Sequence, residues 1–401
     1  MTVNQRRGRV LLSGLLLLSL ILRVGWGMVQ QAEPDVRLGD QFEYLQVGRN
    51  LLHDHQLRFY DDRFGQWVYA YRTPGYPFLI AACGGNVRVV RLVQAIIDTS
   101  TVLAIYLLAR RFMGQGGALV AGAVVAFNPF LIYFSGLVLS ETLFTSMLAW
   151  GLYLLVTRLG WGIVLLALAT LVRPSALGLA VVLAAAVGWA RGWPVVLRNA
   201  GLSILAVVVV LFPWAWRNGH HPVLKSWIWT ATNEGITTYD GFHEGATGAS
   251  DQKPFLQEMR TLLLHMDEVE RDAFFAERAH TWIRTHPIRS IQLMGNKIAR
   301  TWSPFPLSTE YGSRRLYVFI GLCYSLPFYI MILLGIWKPG LAASVKVLLL
   351  IPAIYFTGIH ALSVGSLRYR IPFEPPMAVL VGSWASGALG ILHGPSRRKL
   401  G

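Results

Sequence analysis

The feature that most constrains this chain is a succession of apolar runs, at 10–22, 89–109, 116–134, 141–157, 160–172, 174–190, 196–213, 315–337, 344–363 and 372–393. Backbone in hydrocarbon has no water to bond, so a spanning segment must satisfy its own N–H and C=O groups as a helix, usually of about 20 residues. The expectation is an all-α polytopic membrane protein with about ten transmembrane helices. Composition agrees, since 54% of residues are hydrophobic and only 14% charged, outside the usual range of soluble domains. The first run follows Arg6, Arg7 and Arg9 as in a signal sequence, but no small-residue cleavage site follows, and Arg23, Trp26 and Met28 continue it. It reads as an uncleaved first span.

A formal charge of +15 raises nucleic acid as a partner, yet the basic residues stand singly or in pairs at the ends of apolar runs and form no stripe. Membrane lipid and topology account for them better, and no nucleic-acid partner is expected. On the N-terminal side the short loops hold thirteen cations: Arg6, Arg7, Arg9, Arg110, Arg111, Arg158, Arg191, Arg198, Lys338, Lys346, Arg397, Arg398 and Lys399. On the other side they hold three: Arg173, Arg368 and Arg370. Both termini are therefore expected in the cytoplasm of a bacterial cell, with the loops 30–88 and 214–314 on the opposite face of its inner membrane. The pair 160–172 and 174–190 is the weakest, because thirteen residues rise only about 20 Å where a span needs about 30 Å. A single span would bury Arg173 at mid-membrane, at a cost of at least about 2.5 kcal/mol. Two short helices meeting at Arg173–Pro174 are expected instead.

Three regions follow: an N-terminal transmembrane module at 1–213 carrying the first outer loop 30–88, an extracytoplasmic helical region at 214–314, and C-terminal transmembrane helices at 315–401. Within the middle region, 287–302 sets Ile288, Ile291, Met294, Ile298 and Trp302 opposite Arg289, Lys297 and Arg300, the pattern of a helix lying on the membrane surface. Cys83 and Cys323 match no disulfide framework or metal spacing. His220, His221 and His243 read as loop residues, and Gly114–Gly117 as a turn with no Walker pattern.

Chemistry concentrates in 40–77, GDQFEY through RTPGYP, a polar and aromatic stretch with no packing reason to be so. Asp40 has two compatible readings, a helix N-cap carboxylate and a functional acid. Arg72 stands before a stiff turn in which Pro74 and Pro77 restrict the backbone and Gly75 permits close approach. Such a mount suits a guanidinium that grips phosphate, although headgroup snorkelling also explains an interfacial arginine. Glu141, in LSETLF, is either the first turn of a helix capped by Ser140 or an intramembrane acid with a function. Arg173, Arg368 and Arg370 run against the charge rule, which an anionic partner at the outer face or helix-end snorkelling explains.

Together GDQFEY, RTPGYP, LSETLF, LATLVRPSAL and SLRYRIPFEPP resemble the bacterial glycosyltransferases of the GT-C class. The likeness is to the polyprenyl-phosphate-sugar-dependent group (glycosyltransferase family 39-like) related to protein O-mannosyltransferases and to the aminoarabinose transferase of lipid A. It runs in order from residue 1 to about 390. The resemblance implies an inverting enzyme with extracytoplasmic juxtamembrane helices and a catalytic acid at Asp40. It further implies Arg72 on the lipid-linked phosphate and Glu141 near the reacting centre as a second catalytic acid, and the outer-face cations Arg173, Arg368 and Arg370 are expected to join Arg72 on the phosphate. Glu43, Tyr44, Tyr71 and Tyr76 are the expected substrate-binding neighbours. The family's first motif commonly carries adjacent acids or Asp-x-x-Glu-Tyr, and here Asp40-Gln41-Phe42-Glu43-Tyr44 leaves Glu43 as a rival base. The expected partners are a polyprenyl-phosphate sugar and an acceptor of unspecified class. No cofactor is required and no divalent metal is expected, because arginines can stabilise a phosphate leaving group.

Two other classes fit a bundle of this kind. A multi-pass lipid-linked-sugar transporter or flippase also needs polar residues, but places them near mid-membrane and in paired broken helices. A non-catalytic assembly protein would make Asp40 and Arg72 structural.

Overall fold

The computed structural model of the protein describes residues 3–30, 33–34, 39–307 and 314–388. The Arg397, Arg398 and Lys399 cluster, the end of the last apolar run and part of the loop 30–88 lie outside them. Every apolar run of the sequence falls on a helical element, but the lengths differ from the expectation of ten spans. Six described helices are long and apolar enough to cross a membrane: Arg6–Val29, Val87–Arg110, Pro174–Arg191, Trp193–Gly219, Arg315–Trp337 and Ala343–Ala361. A seventh span results if α5 (Gln115–Ala126) and α6 (Pro129–Ser135), bent by 51°, count as one. The bend is local chemistry, since the Asn128 side chain accepts from the backbone N–H groups of Phe130 and Leu131 and Pro129 fixes the first turn of α6. These apolar helices, whose outward faces carry residues such as Val10, Leu17, Leu205, Phe319 and Leu333, make the chain an integral membrane protein.

The shortfall lies in α7 (Glu141–Thr157) and α8 (Leu159–Thr170), apolar but short. At about 1.5 Å per residue they rise roughly 25 Å and 18 Å. They fold as a tight hairpin in which Gly162 meets the backbone of Leu155 so closely that a Cβ would stand 2.4 Å from its nitrogen. The break expected at Arg173–Pro174 is present: α8 ends at Thr170, and a single 3-10 turn, Pro174–Ala176, leads into α9 (Leu177–Gly188).

One large apolar core joins α4 (Val87–Arg110), α5, α7, α8, α9 and the C-terminal helices. Against it sits a buried ion pair, Arg23 in the last third of α1 (Val3–Val29) on Asp98 at the middle of α4 at 2.5 Å, both side chains fully buried. The same guanidinium donates to Ser19 Oγ at 2.7 Å and to the carbonyls of Ala126 and Val125. It therefore ties α1 to α4 and to the end of α5.

The extramembrane part is mainly helical. Its middle region holds α14 (Glu268–Thr285), opened by an Asp267–Glu270 capping box, and α15 (Pro287–Thr301). On α15 the apolar stripe is outward, with Ile288 74% and Ile291 69% exposed, while Ser290, Leu293, Lys297 and Thr301 face the protein. Lys297 thus departs from the polar face expected for it. It is buried with its ammonium over the ring of Phe242. A two-stranded antiparallel hairpin, β1 (Phe59–Asp61) with β2 (Gln66–Val68), interrupts the first loop in the register Phe59↔Val68, Tyr60↔Trp67 and Asp61↔Gln66. Its turn, closed by Gly65 at φ 63°, is what presents Arg63.

Candidate active site

The helix α2 (Asp40–Asp54) begins at Asp40, and no side-chain cap closes its first turn. Asp40 is not spent on its own helix, so the N-cap reading gives way. Three residues further, Glu43 lies on the same side of the first turn. Between them comes Arg72, which donates from Nη2 to both carboxylates and from Nε to Glu43 at 2.9 Å.

The RTPGYP turn carries Arg72 there because it is docked on the α8–α9 break. Gly75 N–H donates to the Leu171 carbonyl at 2.8 Å, and a Cβ on Gly75 would stand 2.7 Å from that oxygen. Only glycine fits at that approach. Thr73 Oγ1 adds a bond to the Val172 carbonyl at 3.3 Å. The same contact therefore sets Arg72 beside Arg173.

From the far end of the sequence, the 3-10 segment Leu367–Phe373 brings Arg368, whose Nη1 donates to Asp40 Oδ2 at 2.6 Å and whose Nε donates to Glu141. Arg173 stands 3.0 Å from the same Glu141 oxygen. Arg63 closes the row on the other side, at 3.3 Å from Glu43 and 2.7 Å from Asp61. The result is an alternating ladder, Asp61–Arg63–Glu43–Arg72–Asp40–Arg368–Glu141–Arg173, of four carboxylates and four guanidiniums. Aromatic faces steady it: Arg72 lies over Tyr44 and Tyr71, and Arg63 over Tyr71.

The ladder forms one wall of a cavity of about 1590 Å³. Asp40, Arg63, Arg72, Arg173 and Arg368 line it with Tyr44 and Tyr71. The lining also includes an apolar set with Phe130, Tyr133 and Ile320, and a polar set from the 233–253 segment with Asn233, Glu234, Thr237 and Ser250. Burial pushes the Asp40 carboxyl up, but the charges of Arg72 and Arg368 and their hydrogen bonds outweigh it and hold the group well below the usual carboxylate range. It is ionised at any physiological pH.

The remaining expected residues fall elsewhere. Glu43 and Glu141 have no face on the cavity and stand behind its arginines. Tyr76 is fully buried, donates to Gln94 Oε1 at 2.5 Å and packs edge-on against Tyr44, so it supports the site without reaching it. Arg370 is a correction. It is fully buried, paired with Glu374 at 2.6 Å and donating to Ser325 Oγ and the Ser303 carbonyl, away from the cavity. Two positions apart on a helix of three residues per turn, Arg368 and Arg370 face different ways.

No family model and no curated protein matches the sequence. Solved structures do match. AglB, the archaeal oligosaccharyltransferase from Archaeoglobus fulgidus in complex with an inhibitory peptide and a dolichol-phosphate, superposes on 97% of this chain with a TM-score of 0.59 at 15% identity. The apo form of the Archaeoglobus fulgidus oligosaccharyltransferase gives 0.56 over 95%, also at 15% identity. The chain has the GT-C fold. It spans about half the length of both structures, 51% in each case. ArnT from Cupriavidus metallidurans, bound to undecaprenyl phosphate, aligns with 95% of this chain and 78% of its own at 12% identity, but its TM-score of 0.40 lends no weight. At these identities the likeness is one of fold.

Within the GT-C fold the ladder includes residues that sequence reasoning missed. Arg63 lies in the first loop among many polar residues, and only the β1–β2 hairpin, too short to leave a pattern, aims it inward. Asp61 follows from the same turn. The polar set at 233–253 carried no motif.

Proposed function

We propose that this protein is an inverting, integral-membrane glycosyltransferase that moves a sugar from a polyprenyl phosphate to an acceptor hydroxyl on the extracytoplasmic face of a bacterial inner membrane. The observation that carries the reading is the convergence of Arg72, Arg173 and Arg368 with Asp40 on one cavity that also has an apolar lining. The GT-C fold shared with an oligosaccharyltransferase supports it. The phosphate lies against the arginine wall, the polyprenyl chain against the apolar set, and the sugar with its acceptor against the polar set.

The transfer is a single displacement. The acceptor O–H gives its proton to Asp40 and its oxygen bonds to the anomeric carbon. The bond from that carbon to the phosphate oxygen breaks, and its electron pair stays on the phosphate, which leaves as polyprenyl phosphate. Charge therefore grows on the phosphate as the bond breaks, where preorganised guanidiniums stabilise it more than they stabilise the starting diester. Glu141 and Glu43 act as positioning residues that hold Arg368, Arg173 and Arg72. A transporter is disfavoured because the buried intramembrane pair Arg23–Asp98 lies off the cavity, so the described acids and arginines that do line the cavity are not a mid-membrane relay.

The test is sugar transfer from a purified polyprenyl-phosphate sugar, with and without a chelator, for wild type and Arg72→Lys. Wild type is expected to turn over in chelator. Arg72→Lys keeps the charge but loses the planar fork that reaches two groups at once, and activity is expected to fall by roughly 10-fold to 100-fold, from the worth of one charge-assisted hydrogen bond. Turnover abolished by chelator and restored by a divalent ion would recast Asp40 and Glu141 as metal ligands. Orientation has its own check: a reporter fused after Gly245 should be active only outside the cytoplasm and one after Gly114 only inside, and the reverse result would put the cavity on the wrong face.

A further inference from the structure

Each oxygen of Asp40 is taken by a different guanidinium, Oδ1 by Arg72 and Oδ2 by Arg368. A carboxylate in that state is a weak base toward an acceptor hydroxyl, because each oxygen already accepts a charge-assisted bond and its charge is compensated by two guanidiniums. The two arginines come from the first loop and from the segment before the last helix, so Asp40 also staples distant parts of the chain together. We propose that Asp40 is a stand-in for the donor phosphate. In the empty enzyme it fills the Arg72–Arg368 fork, and the lipid phosphate displaces it, so that the base becomes free only when the donor is in place. This rests on the glycosyltransferase reading above.

Three observations favour exchange over a permanent pair. Both arginines have a second anchor that does not move with Asp40: Arg72 holds Glu43 through Nε, and Arg368 holds Glu141 through Nε. When Asp40 lets go, the fork keeps its shape for phosphate. Asp40 is the accessible member of the set, its side chain one-third exposed, against 11% for Glu43 and none for Glu141. It sits at the first residue of α2, where no cap holds it.

Exchange makes chemistry conditional on order. Relieved of two positive neighbours, the carboxylate regains basicity, so the acceptor hydroxyl is activated only in the presence of donor. The product polyprenyl phosphate competes with Asp40 for the fork as well, and Asp40 returning to it helps expel the product.

The experiment is binding of undecaprenyl phosphate to the purified full chain in detergent micelles, by calorimetry, for wild type, Asp40→Asn and Asp40→Ala, with melting temperatures taken in parallel. Removing the carboxylate removes the competitor, so Asp40→Ala is expected to bind roughly 10-fold to 100-fold tighter than wild type, from the worth of a charge-assisted hydrogen bond, and Asp40→Asn, whose uncharged amide still fills the fork, to fall between them, while both lose turnover. Wild type and folded variants binding with equal affinity, or the variants more weakly, overturns the exchange and leaves the donor reading intact. Should neither wild type nor variants bind the lipid at all, the donor reading itself fails and the exchange with it. Asp40→Ala guards against an amide that still fills the fork by hydrogen bonding.

Discussion

Asp40→Asn is expected to reduce turnover by about 100-fold to 10,000-fold, the range over which a positioned general base contributes, with normal amounts of protein in the membrane. Asparagine keeps the size of the side chain and one acceptor oxygen, so the fork of Arg72 and Arg368 loses a charge but not its filling. The rival base is Glu43, and the geometry separates the two: Asp40 lines the cavity, whereas Glu43 is buried behind Arg72 and Arg63. Glu43→Gln should accordingly act through Arg72, raising the KM for donor more than it lowers kcat. The measurement is initial-rate kinetics of sugar transfer for both variants. Retained turnover in Asp40→Asn beside a collapse in Glu43→Gln would move the base one helical turn inward.

Arg370→Met is expected to cost roughly 3 to 5 kcal/mol of stability, because it strands a buried carboxylate without its partner. Glu374 then keeps only the Asn128 amide at 2.6 Å, and the Ser325 hydroxyl and Ser303 carbonyl lose their donor. A melting temperature well below wild type in detergent is the readout. Arg370→Met combined with Glu374→Gln should recover much of the loss, as removing both charges does elsewhere. A variant that melts normally but loses donor affinity would return Arg370 to the phosphate site.

The contrast between Arg368 and Arg370 shows what the sequence carries and what it hides. Charge asymmetry marks an arginine as being on an unusual side of the membrane, but says nothing of where a 3-10 segment points it. Asp40 and Arg72 were legible as candidates because one stands at a helix start and the other before a rigid turn, and Arg173 and Arg368 because they run against the charge asymmetry of the short loops. That Asp40 would hold two arginines at once was not legible, since its partners lie 32 and 328 positions away. The membrane character was plain from the apolar runs. The number of long spans was not, because α7 and α8 are only 17 and 12 residues long and turn back on each other as a tight hairpin. Asp98 was absorbed into an apolar run, one acid among many aliphatic residues, and its meaning came only with Arg23 beside it.

That buried pair also sets a schedule for making the protein. Arg23 and Asp98 are 75 residues apart, and a ribosome adds about 5 to 20 residues per second, so Arg23 is synthesised roughly 4 to 15 s before its counter-charge. An unpaired arginine costs about 2.5 to 3.5 kcal/mol at a helix centre on insertion scales and less toward an end, and Arg23 stands six residues before Val29, the last residue of α1. For that interval α1 is a poor guest of the bilayer, and its lasting residence waits on the arrival of α4.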